Sequence, residues 1–65
     1  MKTGFHKYLT VFRKQRGYTQ AELANKLGIS RSTYANYESG NRSPDFETLE
    51  RISDILNCTL DELFG

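Results

Sequence analysis

The chain has 65 residues, 26% of them charged and 37% hydrophobic, and a formal net charge of +1. A length near the lower limit for an unaided hydrophobic core implies one small domain, residues 1–65, without a catalytic cleft of ordinary size. A single cysteine, Cys58, excludes an internal disulfide, a single histidine, His6, offers no metal-ligand spacing, and no apolar run resembles a leader or a membrane span.

These features predict a chain without metal, cofactor or evident small-molecule ligand, resident in a reducing interior such as the cytoplasm. The small net charge hides an asymmetry. Up to Pro44, eight basic residues (Lys2, Lys7, Arg13, Lys14, Arg16, Lys26, Arg31, Arg42) face only Glu22 and Glu38, a net of +6. From Asp45 onward Arg51 stands against six acids, a net of −5. Such a charge dipole steers its basic end toward phosphate, although both sets can equally be solvated helix faces.

The first predicted element is an amphipathic helix in which Phe5, Tyr8, Leu9 and Phe12 recur at i, i+3, i+4 and i+7 and form a core stripe, ending near Gly17. Next, Thr19 and Glu22 have the spacing of a capping box. Behind them Leu23, Ala24 and Leu27 share one face, Gly28 supplies a turn, and Ser30 offers the cap of a further helix. Residues 19–38 therefore read as a helix-turn-helix, the motif whose second helix enters the major groove of DNA.

A turn of about 100° per residue places Arg31, Ser32, Ala35 and Asn36 on one arc of that second helix, with Thr33, Tyr34 and Tyr37 on the other. The tyrosines suit packing, with rings buried and hydroxyls reaching water or backbone. On the open arc, Arg31 can form two hydrogen bonds to guanine, Asn36 two to adenine, and the methyl of Ala35 can meet that of thymine. A plain surface helix shows the same residue types.

After a polar loop over residues 40–44, a fourth helix opens near Asp45, with Phe46, Leu49, Ile52, Ser53, Ile55 and Leu56 as its buried face and Pro44 at its entry. Thr59 and Glu62 repeat the capping-box spacing and begin a short fifth helix carrying Leu60, Leu63 and Phe64. No stretch alternates with period two, so no sheet is expected. Cys58 reads as a small buried thiol and His6 as a surface residue without partners for catalysis.

Three segments together resemble the Cro/repressor-like, or XRE, helix-turn-helix family: Thr19 to Ala24, Leu27 to Ser30, and Tyr37 to Pro44. The resemblance covers nearly the whole chain. It implies an all-α, compact five-helix bundle of the lambda-repressor-like type. It also implies base contacts from Arg31, Ser32 and Asn36, with Thr33 joining them or touching phosphate. Gln20 then matches the family's phosphate contact at the start of the first motif helix, assisted by the helix dipole. Ser30 joins the expected phosphate contacts, and Ser39, Asn41 and Arg42 match the loop contacts to the sugar-phosphate backbone. The family pattern further pairs Arg13 with Glu38 as a structural ion pair. Asn36 and Asn41 depart from more basic members of the family, which lowers the expected affinity per monomer.

The resulting expectation is a sequence-specific, non-enzymatic regulator of transcription, a repressor that binds a palindromic operator as a homodimer with half-sites about one helical turn apart. Leu60, Leu63 and Phe64 are candidate dimer contacts, although burial in the monomer explains them equally well. Two alternatives stay open. One is an antitoxin-type protein-interaction module acting through the acidic half; the other is the DNA-binding fragment of a larger regulator. Nothing in the chain resembles an RNA-binding motif.

Overall fold

The computed structural model describes residues 4–65, so Lys2 of the basic set lies outside the described residues. Five helices follow in chain order: α1 (Phe5–Gln15), α2 (Gln20–Leu27), α3 (Arg31–Ser39), α4 (Phe46–Leu56) and α5 (Leu60–Phe64). No strand occurs among the described residues. The fold is the all-α, five-helix arrangement that the sequence predicts.

The start signals act as anticipated. Thr19 Oγ1 accepts from the Glu22 backbone N–H at 3.0 Å while Glu22 Oε1 accepts from the Thr19 N–H at 2.8 Å. Thr59 and Glu62 repeat this box with the same distances, and Asp45 accepts from the Thr48 N–H at 2.8 Å. Gly28 adopts φ +73°, a left-handed conformation that lets α2 stop and the chain reverse within three residues. The C-terminus of α4 is closed from another element. Arg16 donates through Nε to the Leu56 carbonyl (2.6 Å) and through Nη2 to that of Asn57 (3.2 Å), satisfying acceptors left open by the end of the helix.

All five helices feed one core: Phe5 and Leu9, Leu23, Ala24 and Leu27, Tyr34 and Tyr37, Ile52 and Leu56, and Leu63. Three expectations require correction. Phe46 is 65% exposed rather than part of the α4 buried face. It lies six residues before Ile52, about 120° around the helix from it, and Pro44 is buried at the helix entry instead. Tyr8 is 40% exposed, at the edge of the α1 stripe. Its ring lies across Gly4 and Gly65, where an added Cβ would come within 2.7 and 2.8 Å of it. Leu63 is fully buried in the monomer, which removes it from any dimer surface. Its neighbour Phe64 is partly exposed and packs on Phe5 with ring centroids 5.2 Å apart.

Candidate nucleic-acid interface

The orientation of α3 is fixed by its buried side. Tyr34 is fully buried, Tyr37 nearly so, and their rings meet edge to face with centroids 6.3 Å apart. Glu38 follows one turn after Tyr34 and is the centre of a polar cluster. Arg13 Nε donates to its Oε2 at 2.6 Å and Nη2 to its Oε1 at 3.2 Å, in a forked pair whose side chains are 9% and 7% exposed. Gln20 Nε2 donates to Oε1 at 3.0 Å, and the Tyr34 hydroxyl donates to Oε2. The remaining arm of Arg13, Nη1, donates to the Tyr18 carbonyl at 2.7 Å.

Three side chains, from α1, α2 and α3, thus converge on the one Glu38 carboxylate. Among the described residues no buried side-chain nitrogen or oxygen is left without a partner. Burial pushes the Glu38 carboxyl up, but donation from Arg13, Tyr34 and Gln20 outweighs it and holds the group at about 2. Burial raises Tyr34, reinforced by its hydrogen bond to the Glu38 carboxylate. The hydrogen bond to Glu38 raises Arg13 further against desolvation. Sequence reading reaches the Arg13–Glu38 pair only through the family resemblance and misses its connections to Tyr34, Gln20 and the Tyr18 carbonyl. The Tyr34 hydroxyl finds a carboxylate rather than water or backbone.

The opposite side of α3 is open. Arg31 and Ser32 are exposed, and Thr33, Ala35 and Asn36 are half-buried. Ser30 caps the helix by accepting from the Thr33 N–H at 3.1 Å, and its hydroxyl donates to Thr33 Oγ1 at 2.9 Å. At the other end Gly40 turns the chain with φ +84°. The following loop folds back on the helix: the Asn36 carbonyl accepts from Ser39 Oγ (3.2 Å) and from the Arg42 backbone N–H (3.2 Å), and the Asn41 N–H approaches Ser39 Oγ at 3.4 Å. Ser39 at the end of α3 and Asn41 and Arg42 in the loop are exposed, on a segment whose backbone is tied to α3. Gln20 is the exception among the predicted phosphate contacts. Its amide is engaged by Glu38, so its side chain joins α2 to α3, while its backbone N–H lies at the first position of α2.

The basic half is less uniform than its charge count suggests. Arg13 is neutralised inside the bundle, Arg16 closes α4 and lies 6.0 Å from the Phe12 ring, and Lys26 stands 5.6 Å over the Tyr18 ring. Arg31 and Arg42 make no side-chain hydrogen bond or ion pair among the described residues and flank the open side of α3. Both ends of that surface thus carry a guanidinium, the group best shaped for base edges and phosphates.

Comparison with known proteins agrees with this geometry. A helix-turn-helix family model matches residues 11–63. Among curated relatives, the chain is 49% identical to the uncharacterized HTH-type transcriptional regulator YqaE of Bacillus subtilis, over 91% of this chain and 51% of that protein. It is 46% identical to the HTH-type transcriptional regulator AnsR of Bacillus subtilis, over 88% of this chain and 49% of AnsR. With the cryptic phage CTXphi transcriptional repressor RstR of Vibrio cholerae the identity is 45%, over 82% of this chain and 47% of RstR. The chain thus spans about half the length of these relatives.

Among solved structures, a transcriptional regulator from Listeria innocua matches with a TM-score of 0.90 and 31% identity, over 100% of this chain and 61% of that one. Hydroxypropylphosphonic acid epoxidase from S. wedmorenis matches at 0.88 and 31%, over 98% of this chain and 34% of the enzyme. SinR, a master regulator for biofilm formation solved in complex with DNA, matches at 0.84 and 27%, over 94% of this chain and 98% of that one. The family model spans the whole α2–turn–α3 unit and most of the helices that hold it, so the chain belongs to the helix-turn-helix family of transcriptional regulators of the Cro/C1, or XRE, type.

Proposed function

We propose that the chain binds double-stranded DNA in a sequence-specific manner, with α3 in the major groove, and acts in transcriptional regulation as a repressor. The observation that carries this reading is the division of α3. One side is immobilised by Tyr34, Tyr37 and the Glu38 cluster, while the other presents Arg31, Ser32, Thr33, Ala35 and Asn36. In this reading Arg31 and Asn36 read base edges, with Ser32, Thr33 and Ala35 between them. Ser30, Ser39, Asn41, Arg42 and the backbone N–H of Gln20 fix the register on phosphates. The resemblance to SinR, whose structure holds DNA, supports the same assignment.

One α3 covers too few base pairs for an operator to stand out, so the functional unit is a homodimer on a two-fold symmetric site. Leu60 and Phe64 remain available for its contact, Leu63 does not. The roughly twofold greater length of the relatives supports a second reading, in which this chain is the DNA-reading part of a longer regulator.

The chain is a binding module rather than a catalyst in this proposal. Burial and then the nearby Glu62 carboxylate push the Cys58 thiol up, away from a reactive thiolate. Among the described residues no helix is long and apolar enough to cross a membrane. The test is selection from a random duplex pool at moderate salt, with the bound fraction sequenced. Enrichment of a short inverted repeat is expected; recovery without sequence preference would overturn the assignment.

A further inference from the structure

His6 stands apart from every role assigned so far. It is exposed in the first turn of α1, yet its ring faces the end of α3: Cγ and Nδ1 lie 3.7 Å, and Cε1 3.8 Å, from where a Cβ of Gly40 would be. The imidazole therefore lies on the turn that launches the loop of Asn41 and Arg42. The last turn of α3 carries no basic residue of its own, so the negative end of this helix meets a histidine from another element.

The charged groups of the surrounding segments are Lys7 in α1, Glu38 in α3, Arg42 in the loop, and Asp61 and Glu62 in α5. Glu38 is committed to Arg13, and among the described residues no carboxylate lies within 4.0 Å of the imidazole. No carboxylate is therefore paired with His6 among the described residues.

We infer that His6 is an additional backbone-contacting residue of the DNA interface, donating from its imidazole to a phosphate beside the Gly40–Arg42 loop and making duplex affinity depend on pH. The inference rests on the proposed DNA reading, in which that loop touches the sugar-phosphate backbone. Histidine is the side chain whose ordinary titration falls between about pH 5 and 8, and its protonated form gives a phosphate a charged donor. His6 is the only histidine in the chain.

The experiment measures affinity of the full chain for a defined mixed-sequence duplex by fluorescence anisotropy, at about pH 5.5 and about pH 8, across a salt series. The wild type is expected to bind roughly three- to tenfold more tightly at the lower pH, with a salt slope steeper by about 0.9. His6→Gln should flatten both differences, and His6→Lys should bind at both pH values with the steeper slope. Thermal unfolding of both variants without DNA separates this from a structural role, which would move the melting temperature but leave the pH dependence of the salt slope in place. Equal pH dependence in wild type and His6→Gln overturns the inference while leaving DNA binding intact. Absence of duplex binding at every pH overturns the DNA reading and this inference with it.

Discussion

The two sides of α3 use similar chemistry to opposite ends. On the inner side a carboxylate, a phenol, an amide and a guanidinium spend their hydrogen-bonding capacity on one another, and Glu38 alone accepts from three side chains. On the outer side the guanidinium of Arg31 and the polar groups of Ser32 and Asn36 face solvent or lie at its edge. A reading helix needs both. Base recognition requires side chains held within fractions of an ångström of the groove, and that precision comes from the internally satisfied side. Arg13 and Arg31 make the same point: one arginine determines where α3 lies, and the other is placed by it.

Removing the inner carboxylate should separate the two sides most clearly. Glu38→Ala leaves Arg13 buried without its anion and is expected to cost about 3 to 5 kcal/mol, seen as a large fall in the thermal or urea midpoint. Acid should reproduce part of this loss. Glu38 is held at about 2, below the ordinary 4.5 of an unfolded glutamate, so its contribution is present above pH 4.5 and declines as pH falls from there toward 2. The difference corresponds to on the order of 3 kcal/mol, and it should vanish from the acid unfolding curve of Glu38→Gln. Tyr34→Phe removes a single donor to the carboxylate and should cost about 1 to 3 kcal/mol in stability.

Outer-side substitutions should leave unfolding unchanged and act on DNA. Arg31→Ala is expected to weaken the selected duplex by about 1 to 3 kcal/mol and to relax preference at one base pair. Arg42→Ala should weaken every duplex alike and reduce the salt slope by about 1, because a phosphate contact carries no sequence information. An unfolding midpoint that moved as far for Arg31→Ala as for Tyr34→Phe would erase the distinction between the sides.

Most of the fold is legible in the sequence because its signals are local. Thr19 with Glu22, Ser30, Asp45, and Thr59 with Glu62 start four helices through contacts three residues apart, and Gly28 and Gly40 end two through left-handed backbone. The site is legible to a different depth. Exposure of Arg31 and Ser32 follows from helical periodicity, but the Glu38 cluster joins residues up to 25 positions apart, and no periodic pattern encodes such a meeting. The same limit explains Arg16. It counts as one more positive charge in sequence, yet it reaches 40 residues along the chain to close α4. His6 beside Gly40 is likewise a tertiary contact without a local signature.

Phe46 extends the comparison from the sides of one helix to the halves of the chain. Its apolar side chain counts it with the α4 buried face in sequence, whereas 65% exposure places it on the surface, and the two views predict different losses. A core phenylalanine replaced by a small residue costs about 3 to 5 kcal/mol, whereas an exposed one changes stability by no more than about 0.5 kcal/mol. Phe46→Ser should accordingly leave the urea midpoint nearly unmoved. Phe46 also opens α4 within the acidic half, two residues after the buried Pro44 that ends the loop carrying Arg42. Measured on the same duplex as Arg42→Ala, its effect on affinity marks where the interface stops. No change would confine DNA contact to the segment before Pro44, where the positive charge lies, whereas a loss comparable to that of Arg42→Ala would carry the contact surface onto the first turn of α4.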